Sequence, residues 1–303
     1  MNREDVLRTA TMKTTIAKRL IATLASRSTH MVGDGFHVRN LFPSNDLGEQ
    51  ISPFLLLDYA GPSHYSPRET PRGVGEHPHR GFETVTVVYQ GRVAHRDSAG
   101  NSGVIGPGDV QWMTAASGVV HEEFHEREFS RQGGTLQMVQ LWVNLPANQK
   151  MSAPKYQGIT AAQIPEVKLD ERGGKVRVIA GQFRDVRGPA STFTPINLWD
   201  LRLAANSELE FNLPPGHNAA VVVLEGKAAI NGGEILEDAR LALLDSKGER
   251  VSIAAQADSK LLVLSGTPLG EPVVSHGPFV MNTGEEIYQA IKDYQSGRMG
   301  RLA

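Results

Sequence analysis

His77 and His79 are separated by a single residue, and His121 and Glu123 repeat that spacing further along the chain. Side chains of an extended backbone alternate between faces, so each pair sends both of its groups to one side. Imidazole and carboxylate together suit first-row divalent metals, and three histidines with one carboxylate leave coordination positions open. The spacing therefore predicts an open metal site, provided that the two segments are strands that meet. Three nearby residues carry the same chemistry with a weaker claim: Glu83, His95 and His125. Glu83 reads as a further ligand or as a brace for a histidine. His95 reads as cavity lining, and His125 shares the face of His121 and Glu123 if that strand continues. Each is a supporting residue before it is a ligand. His30, His37, His64, His217 and His276 stand alone and read as ordinary hydrogen-bonded residues.

Composition narrows the alternatives. The 303 residues include no cysteine, which removes disulfides, zinc–thiolate sites, iron–sulfur clusters and thiol nucleophiles. Lack of cysteine fits a reducing compartment, and a cytoplasmic location is expected. A net charge of -2 argues against a nucleic-acid footprint. No apolar run is long enough to cross a bilayer, so a soluble protein with no membrane partner is expected. There is no P-loop, no G-x-S-x-G elbow and no complete dinucleotide-binding glycine fingerprint. Gly106-Pro107-Gly108 reads as a turn rather than a phosphate cradle.

The segments that must position these residues are short and strand-like. Thr84 to Tyr89 is β-branched almost throughout, Gln90-Gly91-Arg92 turns it, and Val93 to Asp97 returns. Val110 to Met113, Val119 to Phe124 and Gln137 to Asn144 follow the same style. A Pro-, Gly- and Ser-rich loop is expected from Gly61 to Gly75. Pro146 to Pro165 reads as an interdomain connection. Beyond it, Val176 to Ala180, Leu198 to Leu203, Ala219 to Leu224, Arg240 to Leu244 and Lys260 to Ser265 are further strands. Leu224-Glu225-Gly226-Lys227 turns as Tyr89-Gln90-Gly91-Arg92 does, a faint internal repeat. The class is all-β, two copies of one sandwich or barrel. Residues 1–35 read as a loosely ordered leader or short helix, because Ile16, Leu20, Ile21 and Leu24 fall at helical spacing. Residues 36–150 read as the metal-binding domain and 151–303 as a second domain without ligands. At the end, Thr283 with Glu286 forms a capping box, and Ile287, Ala290, Ile291 and Tyr294 make one apolar stripe.

Several stretches resemble the pirin family: His77-Pro78-His79-Arg80-Gly81-Phe82-Glu83-Thr84, Pro107-Gly108-Asp109 with Gln111-Trp112-Met113-Thr114-Ala115, Gln140 to Pro146, and His276 to Thr283. The resemblance covers the chain from about Phe36 to the final helix. It implies a bicupin, two double-stranded β-helix barrels packed face to face, with one metal, iron(II) first, in the N-terminal barrel. Manganese, nickel, copper and zinc also suit the donor set. It further implies that His77, His79, His121 and Glu123 are the ligands and that Glu83 is not. The activity it implies is that of a quercetin 2,3-dioxygenase acting on a small aromatic or enol substrate with dioxygen. There Glu123 is expected to take the hydroxyl proton, because a metal-bound carboxylate can act as base when proton loss is coupled to coordination of the anion. The family's other role is a non-enzymatic, iron-dependent regulator with a protein partner. A metal-free structural cupin is a third reading. A monomer is expected.

Overall fold

The computed structural model describes residues 15–26, 28–42, 47–169 and 173–302. Each half of the chain builds one seven-stranded and one four-stranded antiparallel sheet. In the first half the large sheet runs in the order Lys155–Ile159, Val110–Thr114, Phe82–Gln90, Gly134–Asn144, Phe54–Tyr65, Phe36–Phe42 and Thr29–Val32. The small sheet runs Gly73–His79, Val119–His125, Val93–Asp97, Ser102–Ile105. The second half repeats the plan with Leu20–Ala25, Arg240–Leu244, Asn218–Glu225, Ser259–Gly266, Ile196–Leu203, Gly174–Ala180 and Glu166–Lys168. Its small sheet is Glu208–Asn212, Arg250–Ala255, Ala228–Ile230, Ile235–Leu236.

The central strands are apolar on both faces, and their period of two divides the work. Val85 and Val87 with Val139, Leu141 and Val143 point away from the first barrel, into one core with Leu198, Val222, Leu241, Leu243, Leu262 and Leu264 of the second. The two large sheets thus pack face to face across a continuous hydrocarbon layer. Such a layer resembles a domain core more than a transient contact. The alternate residues, Val88 and Met138 among them, point into the first barrel, where they join Phe36, Val38, Val93 and Ile105.

The ends of the chain exchange partners. Leu20–Ala25 pairs antiparallel with Arg240–Leu244 and so forms the edge of the second barrel's large sheet. The helix expected for the leader is therefore corrected to a strand over its described part; Met12, Lys13 and Arg27 lie outside the described residues. The helical spacing has a different cause. The register slips between Leu20 and Ala22, so Leu20 packs inside the second barrel while Leu24 packs into the layer between barrels. Conversely, the hairpin Val274–His276 and Phe279–Met281 and the helix Gly284–Gln295 pack against Val120 of the first barrel. The helix begins at the expected Thr283–Glu286 capping box. Its buried face differs at one place: Tyr294 is 37% exposed, and Asp293 is buried instead.

Two connections also differ from expectation. Strands Phe54–Tyr65 and Gly73–His79 take up both ends of the Gly61–Gly75 segment. The Pro146–Pro165 stretch carries strand Lys155–Ile159, hydrogen-bonded to Val110–Thr114 of the first barrel. Its weak strand propensity is overridden by an available sheet edge.

Candidate metal centre

Strands Gly73–His79 and Val119–His125 are neighbours, and His77 lies directly opposite His121. An extended backbone brings His79 to the same face. The ring centroids are 4.3 Å apart for His77 and His121, 4.8 Å for His79 and His121, and 4.9 Å for His77 and His79. One nitrogen of each ring lies within 4.8 Å of the other two, the spread of donor atoms around a common cation. The strands approach closely because Gly73 has no side chain: a Cβ there would sit 2.2 Å from the Glu123 carbonyl oxygen.

The nitrogens are prepared as ligands. His77 Nδ1 lies 2.8 Å from the Gly75 carbonyl, which fixes that nitrogen as the donor and frees the other. Both ring nitrogens of His121 and Nδ1 of His79 are buried without a hydrogen-bond partner. A buried imidazole nitrogen left unpaired is costly, and a cation among the three rings would satisfy it. Burial, with His77 adding a smaller effect, pushes His79 down to about 3. Burial also holds His121 well below the ordinary histidine range. These two rings are therefore neutral, as a ligand must be.

Glu123 follows His121 on the same face but stands slightly apart and is not a member of the close cluster of three imidazoles. Its Oε2 accepts from Gln140 Nε2 at 2.9 Å. Burial raises its pKa, against the hydrogen bond from Gln140 and the nearby His77. Gln140 belongs to a polar row that crosses the large sheet on its inner face. Gln111, Thr86, Gln140, Asp58 and Asn40 are consecutive cross-strand partners. Asn40 Nδ2 donates to Asp58 Oδ1 at 2.7 Å, the buried Thr86 hydroxyl faces Glu123, and Gln111 Oε1 is buried and unpartnered. An aromatic wall flanks the cluster on another side. Phe82 and Trp142 stack at 4.3 Å, and the His79 ring lies 5.1 and 5.4 Å from them.

The three supporting candidates separate cleanly. Glu83 faces the other way: it shares its side of the sheet with Val85 and Thr114, and its Oε1 accepts from Thr114 Oγ1 at 2.7 Å. Burial lifts its carboxyl to about 7. His125 is turned into an aromatic nest of Tyr65, Phe36 and Phe129, with Nε2 2.8 Å from the Gly35 carbonyl. His95 is the direct cross-strand partner of Glu123, and its Nε2 lies 2.6 Å from the Tyr156 hydroxyl. Sequence reasoning assigned no role to Gln140, Thr86, Gln111, Trp142 or Tyr156. The available signal was the alternation itself, since a threonine or glutamine at every second position of a buried strand marks a polar interior.

Comparison with known proteins gives a consistent result. Residues 35–143 match the family model described as Pirin, and residues 198–300 match the Pirin C-terminal cupin domain. The Pseudomonas aeruginosa protein named "Putative quercetin 2,3-dioxygenase PA2418" is 55% identical over 284 residues, covering 94% of this chain and 99% of that protein. A second protein of that organism, "Putative quercetin 2,3-dioxygenase PA3240", is 42% identical over 259 residues, covering 82% and 87%. The crystal structure of a quercetin 2,3-dioxygenase from Acinetobacter baumannii superposes with a TM-score of 0.93 at 50% identity, covering 95% of this chain and all of that one.

Proposed function

This chain belongs to the pirin family, and from that premise we propose that it is a metal-dependent oxygenase of the quercetin 2,3-dioxygenase type. One divalent ion, iron(II), is held by His77, His79, His121 and Glu123, and the substrate is a flavonol or related enol. Residues 36–150 with strand Lys155–Ile159 carry the chemistry, and most of the remaining C-terminal half serves as the partner barrel. The observation that carries this reading is the convergence of three imidazoles, two of which, His79 and His121, carry buried nitrogens with no hydrogen-bond partner. The names of the relatives at 55% and 50% identity support the substrate class.

Bound iron(II) would supply a Lewis-acidic coordination point and one-electron chemistry toward dioxygen. The chain's residues do the remainder. Glu123, held by Gln140, takes the hydroxyl proton of the substrate, and burial favours its protonated form once it has done so. The half-buried Trp142 indole, backed by Phe82, offers an aromatic contact for a substrate ring. Thr86, Gln111 and the His95–Tyr156 pair offer hydrogen bonds on the inner side.

The test begins with elemental analysis of purified wild type beside His77→Ala. One metal per chain is expected for wild type and a near-complete loss for the variant. Iron-loaded protein is then mixed with quercetin in air, and the flavonol absorbance should decay. Glu123→Gln should keep most of the metal and lose turnover by about a hundredfold, the usual scale for a proton-transfer group. Stable absorbance with metal in place would reject the oxygenase and leave the iron-dependent regulator.

A further inference from the structure

The residues next to two of the three imidazoles are gripped by the far end of the chain. Arg80 follows His79. Its N–H donates to the Pro278 carbonyl at 3.3 Å, and its own carbonyl accepts from the Val280 N–H at 3.0 Å. The His79 ring faces the same Pro278 carbonyl. The next residue, Gly81, is at φ +89, and a Cβ there would meet the Val280 carbonyl oxygen at 1.9 Å. Lys150 Nζ joins the two segments by donating to both the Gly81 and Val280 carbonyls, at 2.7 and 3.0 Å. On the other strand, Val120 precedes His121 and packs with Phe279, Met281, Ile287, Ala290 and Met299. Its N–H donates to Ser98 Oγ at 3.0 Å, and that hydroxyl donates to the Met299 carbonyl at 2.6 Å.

At the centre of this clamp is an ion pair. Arg80 Nη1 donates to Asp293 Oδ2 at 2.9 Å, while Arg80 Nε donates to the Ser117 carbonyl at 2.6 Å. Arg80 and Asp293 are 4% and 7% exposed. The other carboxylate oxygen, Oδ1, accepts from Gln289 Nε2 and Arg298 Nη1, both at 2.7 Å. A buried ion pair stabilises a fold no better than an apolar pair of similar volume, and often less well. The helix had an apolar candidate for the contact in Tyr294, which it leaves exposed. What the guanidinium adds is direction: through Nε and Nη1 it ties the turn that follows His79 to the Ser117 carbonyl and to the helix.

We propose that Asp293 is a positioning residue for the metal centre of the first barrel, acting through Arg80 to set the orientation of His79. The proposal rests on the metal-site reading above. It assigns part of the site's geometry to a helix that belongs, by sequence, to the other half of the chain.

The test uses full-length protein and cobalt(II) as the probe. Three variants are compared with wild type: Asp293→Asn, Asp293→Glu, and the double variant Arg80→Met with Asp293→Leu. Cobalt affinity is measured by chelator competition, the visible bands report ligand geometry, and urea unfolding of the metal-free protein reports the fold. Asp293→Asn should weaken cobalt binding by about tenfold or more and shift the visible bands, the scale of lost outer-shell support. Asp293→Glu should recover most of both. The double variant should regain the stability of the metal-free protein without regaining affinity, and it carries the test if Asp293→Asn does not fold. Wild-type affinity and bands in the double variant would overturn the proposal while leaving the metal site intact. Failure of wild type itself to bind cobalt would overturn both.

Discussion

The two barrels share a strand plan and differ in one row of side chains. Across five neighbouring strands of the first large sheet, the inner face carries Gln111, Thr86, Gln140, Asp58 and Asn40. The comparable row in the second carries Val178, Trp199, Val263, Val221 and Ala242. The second interior is filled further by Leu201, Phe211, Leu244, Val251 and Ile253, leaving hydrocarbon against hydrocarbon. The histidine of that half with a buried ring, His217, has Nδ1 3.4 Å from Ser265 Oγ and Nε2 3.2 Å from Thr267 Oγ1, so both nitrogens are engaged. A β barrel thus gains a polar, ligand-ready interior or an apolar one by what stands at alternate positions, with no change of backbone plan. The polar interior has unpaired buried groups that a ligand can satisfy, whereas the apolar one stabilises the pair.

Acid should separate the barrels most strongly. Free histidine titrates near 6.5, whereas burial, the larger cause, and neighbouring His77 hold His79 down to about 3. The unfolded chain therefore binds more protons between those values, and stability falls as pH drops through that window. In metal-free protein, His79 alone should cost about 3 kcal/mol by pH 4, from its shift at 1.36 kcal/mol per unit. His79→Gln should lose that part of the acid sensitivity. Hydrogen exchange at pH 4 should open the first barrel before the second; equal protection of both would break the comparison.

Substitution sharpens the contrast further. Val221→Asn places an amide in a row whose neighbours offer it only the Trp199 indole N–H, and should destabilise the protein by about 2–3 kcal/mol in urea unfolding. The reverse change in the first barrel, Thr86→Val, removes a hydroxyl that faces the Glu123 carboxylate. Its effect on stability should stay within about 1 kcal/mol, with metal content unchanged. A large loss in Thr86→Val would mean that the hydroxyl is engaged in the native state.

Much of this was legible residue by residue. His77, His79 and His121 share a face because strand alternation is a local rule, and the pairing of their strands brought them together. The helix start at Thr283 was legible because a capping box involves only neighbours in sequence. Glu83 was ambiguous because nothing local decides which face of a doubly buried strand looks inward. The residues beyond the Arg80–Gly81 turn settle it, and they send Glu83 toward Thr114. Tyr294 was misplaced because a helical stripe shows where apolar residues fall and cannot show that Arg80 waits opposite Asp293.

The amino-acid sequence by itself determined the central strands, the donor types and the absence of thiol chemistry, since these depend on residue identity and on spacings of a few residues. Only the tertiary structure decided that the first strand closes the second barrel, that the last helix closes the first, and that Asp293 reaches the turn after His79. Those contacts join residues from opposite ends of the chain, and their partners are chosen by which sheet edges and apolar faces are left open once the barrels have formed.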